Sequence, residues 1–232
     1  MKFFGLQKLS MVDYPGHLCA TIFTQGCNMR CSYCHNPELI FLQKQSNKGL
    51  EETEILKFLQ KRKDQLEGVC ITGGEPTIHG DALIESIRKI KSLGYRVKLD
   101  TNGTNPTLVK KLIAQKLVDY IAMDVKGDEK FYEVITKTNS SLYHSLLQTI
   151  ELLKQNMVDY EFRITLFSNH HTDEMMDTVA RLISGAKVIY LQKGNPKTAW
   201  CDSFHSLEAV LDEQMSAFQK IFEKHQVMAK VR

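Results

Sequence analysis

The chain has 232 residues, 43% of them hydrophobic and 25% charged, with a formal net charge of +3 and a pI near 8.4. That length can bury a full core and reads as one soluble domain over 1–232. The mild charge, with no long basic block, excludes nucleic acid and membrane surfaces as partners, and no apolar run approaches the roughly 20 residues needed to cross a bilayer. The N-terminus has no secretory pattern, so a cytoplasmic chain is expected, with its six cysteines as thiols or metal ligands rather than disulfides.

In chain order, the first strand run is Leu18–Thr24, preceded by Asp13-Tyr14-Pro15-Gly16. Directly after it comes Gly26-Cys27-Asn28-Met29-Arg30-Cys31-Ser32-Tyr33-Cys34-His35-Asn36-Pro37. The polar segment Gln43–Glu54 reads as a mobile loop. Lys61-Arg62-Lys63, followed by Asp64, reads as a solvated helix end. A second strand, Val69–Thr72, runs into Gly73-Gly74-Glu75-Pro76, and a helix follows over Asp81–Leu93 with Leu83, Ile84, Ile87 and Ile90 on its apolar face and Asp81 as its cap. Strand Tyr95–Leu99 leads into Asp100-Thr101-Asn102-Gly103, and strand Val118–Val125 carries Asp124 with Lys126 just beyond. Helical stripes through Leu142, Leu146, Ile150 and Leu153, and through Leu207, Leu211, Phe218 and Phe222, separate and follow the last strands, Tyr160–Leu166 and Lys187–Leu191.

This alternation predicts an α/β fold with a parallel sheet under helices, a partial β/α barrel of about six units. In such folds the chemistry gathers at the carboxyl ends of the strands, where the unusual residues of this sequence fall.

Cys27, Cys31 and Cys34 form a Cys-x3-Cys-x2-Cys loop. Three thiolates can each bind one iron of a cubane 4Fe–4S cluster and leave the fourth iron open. A structural zinc site would use two ligand pairs on separate loops, and His35, adjacent to Cys34, is poorly placed to close a tetrahedron. Cys19, Cys70 and Cys201 lie in or beside apolar runs and read as ordinary thiols. Gly73 and Gly74 permit a tight turn and close approach of a ligand to the backbone, while Glu75 can accept from an ammonium group. Asn102-Gly103 is equally a common turn, and Asp124 with Lys126 equally an ion pair. Arg163 reads as an ion-paired strand residue. His170, His171, Gln192 and Lys193 stay open between cavity lining and solvated loop.

The cysteine loop, with Tyr33 before its last cysteine, resembles the signature of the radical SAM superfamily, and Gly73-Gly74-Glu75-Pro76 resembles that family's motif for the cofactor's amino group. The resemblance implies a radical SAM type of partial barrel. It also implies a 4Fe–4S cluster whose fourth iron takes the amino and carboxylate groups of S-adenosyl-L-methionine, and reductive cleavage to a 5′-deoxyadenosyl radical. Tyr33, Gly73, Gly74, Glu75, Asp100, Thr101, Asn102, Asp124 and Lys126 become cofactor contacts on this reading, with Asp100, Thr101 and Asp124 also holding a monovalent cation. The layout, including Asp13–Gly16, is similar to the anaerobic ribonucleoside-triphosphate reductase activating proteins. Those act on a glycyl-radical enzyme and draw on a low-potential donor such as flavodoxin or ferredoxin. Tyr14 departs from the Asp-Gly-Pro-Gly pattern of the activases. Because Asp13–Gly16 precedes the first strand, it must fold back across the mouth to meet a partner. The alternative is a radical enzyme of small molecules, such as a deazaguanine-forming synthase. A non-enzymatic metal-binding module is the third reading.

Overall fold

A computed structural model describes residues 1–42, 49–168 and 170–232. Its strands are β1 (Lys2–Phe3), β2 (Gly5–Ser10), β3 (Cys19–Thr24), β4 (Leu50–Glu51), β5 (Gly68–Gly73), β6 (Arg96–Thr101), β7 (Tyr120–Asp124), β8 (Asp159–Leu166), β9 (Val188–Lys193) and β10 (Met228–Val231). The helices are α1 (Glu52–Lys61), α2 (Asp81–Ser92), α3 (Pro106–Ala114), α4 (Glu129–Thr136), α5 (Ser140–Lys154), α6 (Asp173–Leu182) and α7 (Asp212–Lys224).

One eight-stranded sheet has the order β10-β9-β8-β7-β6-β5-β3-β2. All neighbours pair in parallel except β2, which runs antiparallel to β3. The six expected strands are β3 and β5 to β9, in the expected order. Two further strands, β2 and β10, form the sheet's edges, so the sheet is open rather than a closed barrel. Neither carries a run of apolar residues, because an edge strand need not be buried on both faces.

Period-two alternation explains how the sheet is used. Val69, Ile71, Val97, Leu99, Ile121, Met123, Phe162, Ile164, Ile189 and Leu191 belong to the main hydrophobic core with the inner faces of the helices. Cys70, Thr72, Lys98, Asp100, Asp124, Glu161, Arg163 and Thr165 alternate with them and so take the opposite face. That face is polar along most of its length, and the site stands on it.

Several boundaries differ from expectation. Of the expected loop Gln43–Glu54, residues 43–48 lie outside the described residues, but Leu50–Glu51 pairs with Lys2–Phe3 and α1 begins at Glu52. Asp81 is the first helical residue of α2 rather than its cap, a position held by Gly80, and it pairs with Lys111 at 2.7 Å. The last helix starts only at Asp212. Met215, Phe218 and Phe222 form its buried face, while Leu211 is exposed just before it. Lys61 does end α1, among exposed neighbours.

Candidate active site

The loop after β3 is pinned from three sides. Gly26 and Cys27 donate their N–H groups to Leu39 and Ile40 (2.7 and 3.0 Å), and Arg30 and Ser32 donate theirs to Thr136 and Ile135 at the end of α4 (2.8 and 2.9 Å). The N–H of Cys201 donates to the carbonyl of Ser32 at 2.8 Å. The Arg30 guanidinium closes the turn from within, donating to the carbonyls of Cys27 and Met29. These bonds hold Cys27, Cys31 and Cys34 on the wall of one cavity. Burial pushes the Cys27 thiol up to about 12, and burial raises Cys31 and Cys34 as well. Metal loading here would therefore have to displace the thiol protons, leaving thiolates whose negative charge the bound metal stabilises.

Gly73 and Gly74 are required by the chain itself. Gly73 has φ +125, and a Cβ there would lie 2.3 Å from the carbonyl oxygen of Thr24; at Gly74 it would lie 2.1 Å from that of Gly26. The two glycines let the end of β5 lie against the cysteine loop, and the N–H groups of Gly74 and Glu75 donate to Thr24 and Gly26 across that seam (3.0 and 2.7 Å). Both line the cavity, so a ligand approaches a surface that the glycines have already brought close to the thiols.

Glu75 is almost fully buried. Its Oε1 accepts from the Thr77 N–H, the Thr77 hydroxyl and the Thr101 hydroxyl (3.0, 2.6 and 2.8 Å), and its Oε2 from the Asn102 N–H at 2.6 Å. Burial outweighs these bonds and raises its pKa. A carboxylate offers about four acceptor positions. Oε1 is crowded, whereas Oε2 keeps capacity for a further donor.

Asp100 on β6 and Asp124 on β7 are both met by Arg163 from β8, which lies opposite Asp124 in register. Arg163 donates from Nε to Asp124 (2.9 Å) and from a terminal nitrogen to Asp100 (3.1 Å). Lys98 takes the other oxygen of Asp100. Lys126 lies 3.9 Å from Asp124 and 5.8 Å from the centre of the Tyr33 ring. Burial works against the Asp100 charge, but Arg163 and Lys98 overcome it and hold the carboxyl below its usual range.

The remaining expected residues divide. Tyr33 is buried against Phe167 and Phe204, with ring centres at 5.1 and 6.0 Å, and lines the cavity. Asn102 ties the end of β6 to the cysteine loop, donating to Asn28 at 2.9 Å. Arg163 is both ion-paired and cavity-lining, with Thr72 and Thr165 beside it. These two threonines share the polar face of the sheet with Asp100, the signal that could have found them. His171 is a buried strut: its Nδ1 accepts from the Phe167 N–H (3.1 Å) and its Nε2 faces the carbonyl of Lys126 (3.3 Å). His170 stacks on Phe204 with ring centres at 4.8 Å. Lys193 pairs with exposed Asp212 instead of turning to the cavity, and Gln192 is half-buried outside it.

Asp13–Gly16 does not cross the mouth. Tyr14 packs with Cys19 and Cys70, and its ring lies where a Cβ on Gly68 would be, at 2.8 Å. Cys19 and Gly68 begin β3 and β5, so this segment covers the amino ends of the strands, opposite the cysteine loop. A segment joined to the start of β3 by a short turn cannot reach the other end of the sheet.

Three thiols, a buried carboxylate with a free acceptor position, and flanking Lys126 and Arg163 suit a three-ligand cluster beside the ammonium and carboxylate of an amino acid. Residues 21–183 match the family described as the Radical SAM superfamily. The chain belongs to that superfamily. A radical SAM enzyme carries a 4Fe–4S cluster and S-adenosylmethionine, and the donor set described above fits both. A Methanocaldococcus jannaschii protein named as a candidate glycyl-radical enzyme activating enzyme is 34% identical over 224 residues, 95% of this chain and 91% of the relative. The pyruvate formate-lyase-activating enzyme of Clostridium pasteurianum is 30% identical over 152 residues, 63% of this chain and 62% of that enzyme. In fold, the chain is similar to a domain of the pyruvate-formate lyase-activating enzyme of Bacteroides vulgatus, at a TM-score of 0.57 and 17% identity, covering 71% of this chain and 98% of that one. It is also similar to Streptococcus suis SuiB bound to S-adenosylmethionine, at 0.64 and 12% identity, covering 89% and 48%. This radical SAM enzyme is thus homologous to activases of glycyl-radical enzymes.

Proposed function

We propose that this enzyme is an activase that removes a hydrogen atom from a glycine Cα of a partner protein, an anaerobic ribonucleoside-triphosphate reductase or another glycyl-radical enzyme. The observation that carries the reading is the end-to-end similarity to a candidate activase, 95% of one chain against 91% of the other. When bound, a reduced 4Fe–4S cluster and S-adenosylmethionine would supply one-electron reductive cleavage to methionine and a 5′-deoxyadenosyl radical able to take the Cα hydrogen of the glycine.

The chain's own residues then have these parts. Cys27, Cys31 and Cys34 would hold the cluster. Glu75, through Oε2, accepts from the methionyl ammonium, and the backbone of Gly73 and Gly74 shapes that wall. Lys126 and Arg163 balance the methionyl carboxylate, Asp124 and Asp100 fix those two cations, and Tyr33, Thr101 and Asn102 shape the cavity around the cofactor. The partner's glycine enters at the carboxyl ends of the strands, and the docked partner excludes water and oxygen there. A small low-potential donor, a flavodoxin or ferredoxin, supplies the electron.

The test is anaerobic incubation of cluster-loaded, reduced protein and S-adenosylmethionine with candidate glycyl-radical enzymes, followed by electron paramagnetic resonance. A glycyl-radical doublet in one partner is the expected result. Turnover of a small molecule, with no doublet in any partner, overturns the reading in favour of a small-molecule radical enzyme.

A further inference from the structure

The sequence resemblance puts a monovalent cation among Asp100, Thr101 and Asp124, but both oxygens of Asp100, one oxygen of Asp124 and the hydroxyl of Thr101 are engaged within the chain, and the other oxygen of Asp124 faces a cation. One oxygen of Asp100 is taken by Lys98 and the other by Arg163. Asp124 is held by Arg163 at 2.9 Å on one oxygen and faces Lys126 at 3.9 Å with the other. The hydroxyl of Thr101 donates to Glu75 and accepts from the N–H of Gly103 at 3.1 Å. A metal ion entering here would displace fixed cations and lie within a few ångströms of the rest, where repulsion is strong and poorly screened.

Charge balance points the same way. Two carboxylates, Asp100 and Asp124, are met by three side-chain cations, Lys98, Arg163 and Lys126. With Glu75 set against the methionyl ammonium, the surplus of one positive charge matches the methionyl carboxylate. Lys98 makes the difference. Its side chain is 2% exposed, it stands mid-strand between Val97 and Leu99, and its ammonium group reaches Asp100 on the polar face of the sheet. A buried lysine without a partner is costly, and this one is kept by its pair.

We propose that Lys98 and Arg163 are the built-in counter-cation of the cofactor site, so that this enzyme binds S-adenosylmethionine without a monovalent metal ion. Lys98 is a positioning residue: it acts through Asp100, which in turn fixes Arg163 against the cofactor's carboxylate. The inference rests on cofactor binding by a radical SAM enzyme and not on the identity of any partner, so it stands or falls separately from the activase reading.

The experiment measures S-adenosylmethionine affinity of cluster-loaded protein by equilibrium dialysis, at equal ionic strength in potassium, sodium or tetramethylammonium chloride. Tetramethylammonium is too large for an oxygen-lined metal site. Wild-type affinity is expected to agree within about twofold across the three salts, and a loss of about tenfold or more in tetramethylammonium overturns the proposal. Lys98→Met leaves one oxygen of Asp100 for a small ion. Its affinity is expected to fall about tenfold or more in tetramethylammonium and to recover in potassium or sodium, while Lys98→Arg keeps the salt-independent behaviour. A Lys98→Met variant that binds as the wild type does in every salt overturns the role of Lys98. The wild-type series needs no variant, so it decides the question even where Lys98→Met fails to fold.

Discussion

At the carboxyl ends of the strands, Cys27, Cys31 and Cys34 ride on a loop beside Lys126 and Arg163. At the amino ends, Cys19 and Cys70 lie within strands under the ring of Tyr14. Both regions bury cysteines and ionisable groups, and the first leaves them facing a cavity. At the floor, Glu161 is fully buried and consumed by Tyr120 at 2.9 Å and Arg232 at 3.2 Å, and burial pushes Tyr14 up to about 12. At the mouth the polar groups stop short of saturation: Glu75 keeps an acceptor position and three cations face two carboxylates. A cysteine or a buried charge marks function when the fold leaves part of its bonding capacity unspent.

The sharpest way to break this contrast is to exchange cysteines. On the proposed reading, alanine at Cys27, Cys31 or Cys34 removes an iron ligand and should abolish reductive cleavage of S-adenosylmethionine, assayed as 5′-deoxyadenosine release. Alanine at Cys19 or Cys201 should leave cleavage within about twofold, at a stability cost of about 1 kcal/mol from the lost buried volume at Cys19. Equal loss at both ends, in folded protein, would refute the division.

Glu75→Gln probes the unspent acceptor. The amide keeps the size and loses the charge, and it sets an NH2 group against one of the present N–H and hydroxyl donors. Because a hydrogen bond to a charged group contributes about 1.5–3 kcal/mol, cofactor affinity should weaken roughly tenfold to a hundredfold, with a drop in melting temperature alongside. Glu75→Asp restores the charge but not the reach, so it should recover less than full affinity. Unchanged affinity with lowered stability would make Glu75 part of the turn alone.

The mouth was more legible in the sequence than the floor, for a physical reason. Cys-x3-Cys-x2-Cys and Gly-Gly-Glu-Pro are local patterns, and the six inner strands carry apolar runs that announce themselves. The floor is built from residues remote in sequence: Tyr14 meets Tyr120, and Arg232 meets Glu161, through the sheet order alone. Asp13–Gly16 precedes β3, so chain order alone joins it to the amino end; only the resemblance to the activases suggested a fold-back across the mouth, and the short turn into β3 does not make one. Lys98 was passed over inside an apolar run. The period of two that places it with Asp100 and Arg163 on one face was there to be read, but its meaning required the register of β6 against β7 and β8.

His171 sharpens the comparison through pH, as a histidine of the mouth region kept neutral by its surroundings. Burial lowers its pKa to about 4, outweighing the Phe167 and Lys126 contacts that raise it, with His170 nearby adding to the lowering. The unfolded chain therefore binds this proton more tightly than the folded one. The contribution is complete above about pH 6.5 and is lost as pH falls toward about 4, with a limiting slope of about 1.4 kcal/mol per pH unit. Burial also lowers His35, His79 and His170, so the test is a difference. Urea unfolding of His171→Gln between pH 7 and 4.5 should lose close to one proton's worth of slope relative to wild type. An identical pH dependence in the two proteins would show that His171 is not held neutral by the fold.

Asp13→Ala carries the smallest expected effect and tests the floor directly. Its carboxylate accepts from the hydroxyl of Thr21 at 2.6 Å, and Thr21 is buried on β3. Removing the acceptor leaves a buried hydroxyl unpaired, at a cost of about 1–2 kcal/mol, reduced where water reaches the half-exposed Asp13 position. The unfolding free energy should therefore fall by that amount, read from the lowered denaturation midpoint. Cofactor affinity and the rate of glycyl-radical formation in a partner should stay within about twofold of wild type, because the segment lies at the strand ends opposite Cys27 and Glu75. A selective loss of glycyl-radical formation, with stability and cofactor cleavage intact, would place Asp13 at the partner interface and collapse the separation of the two ends.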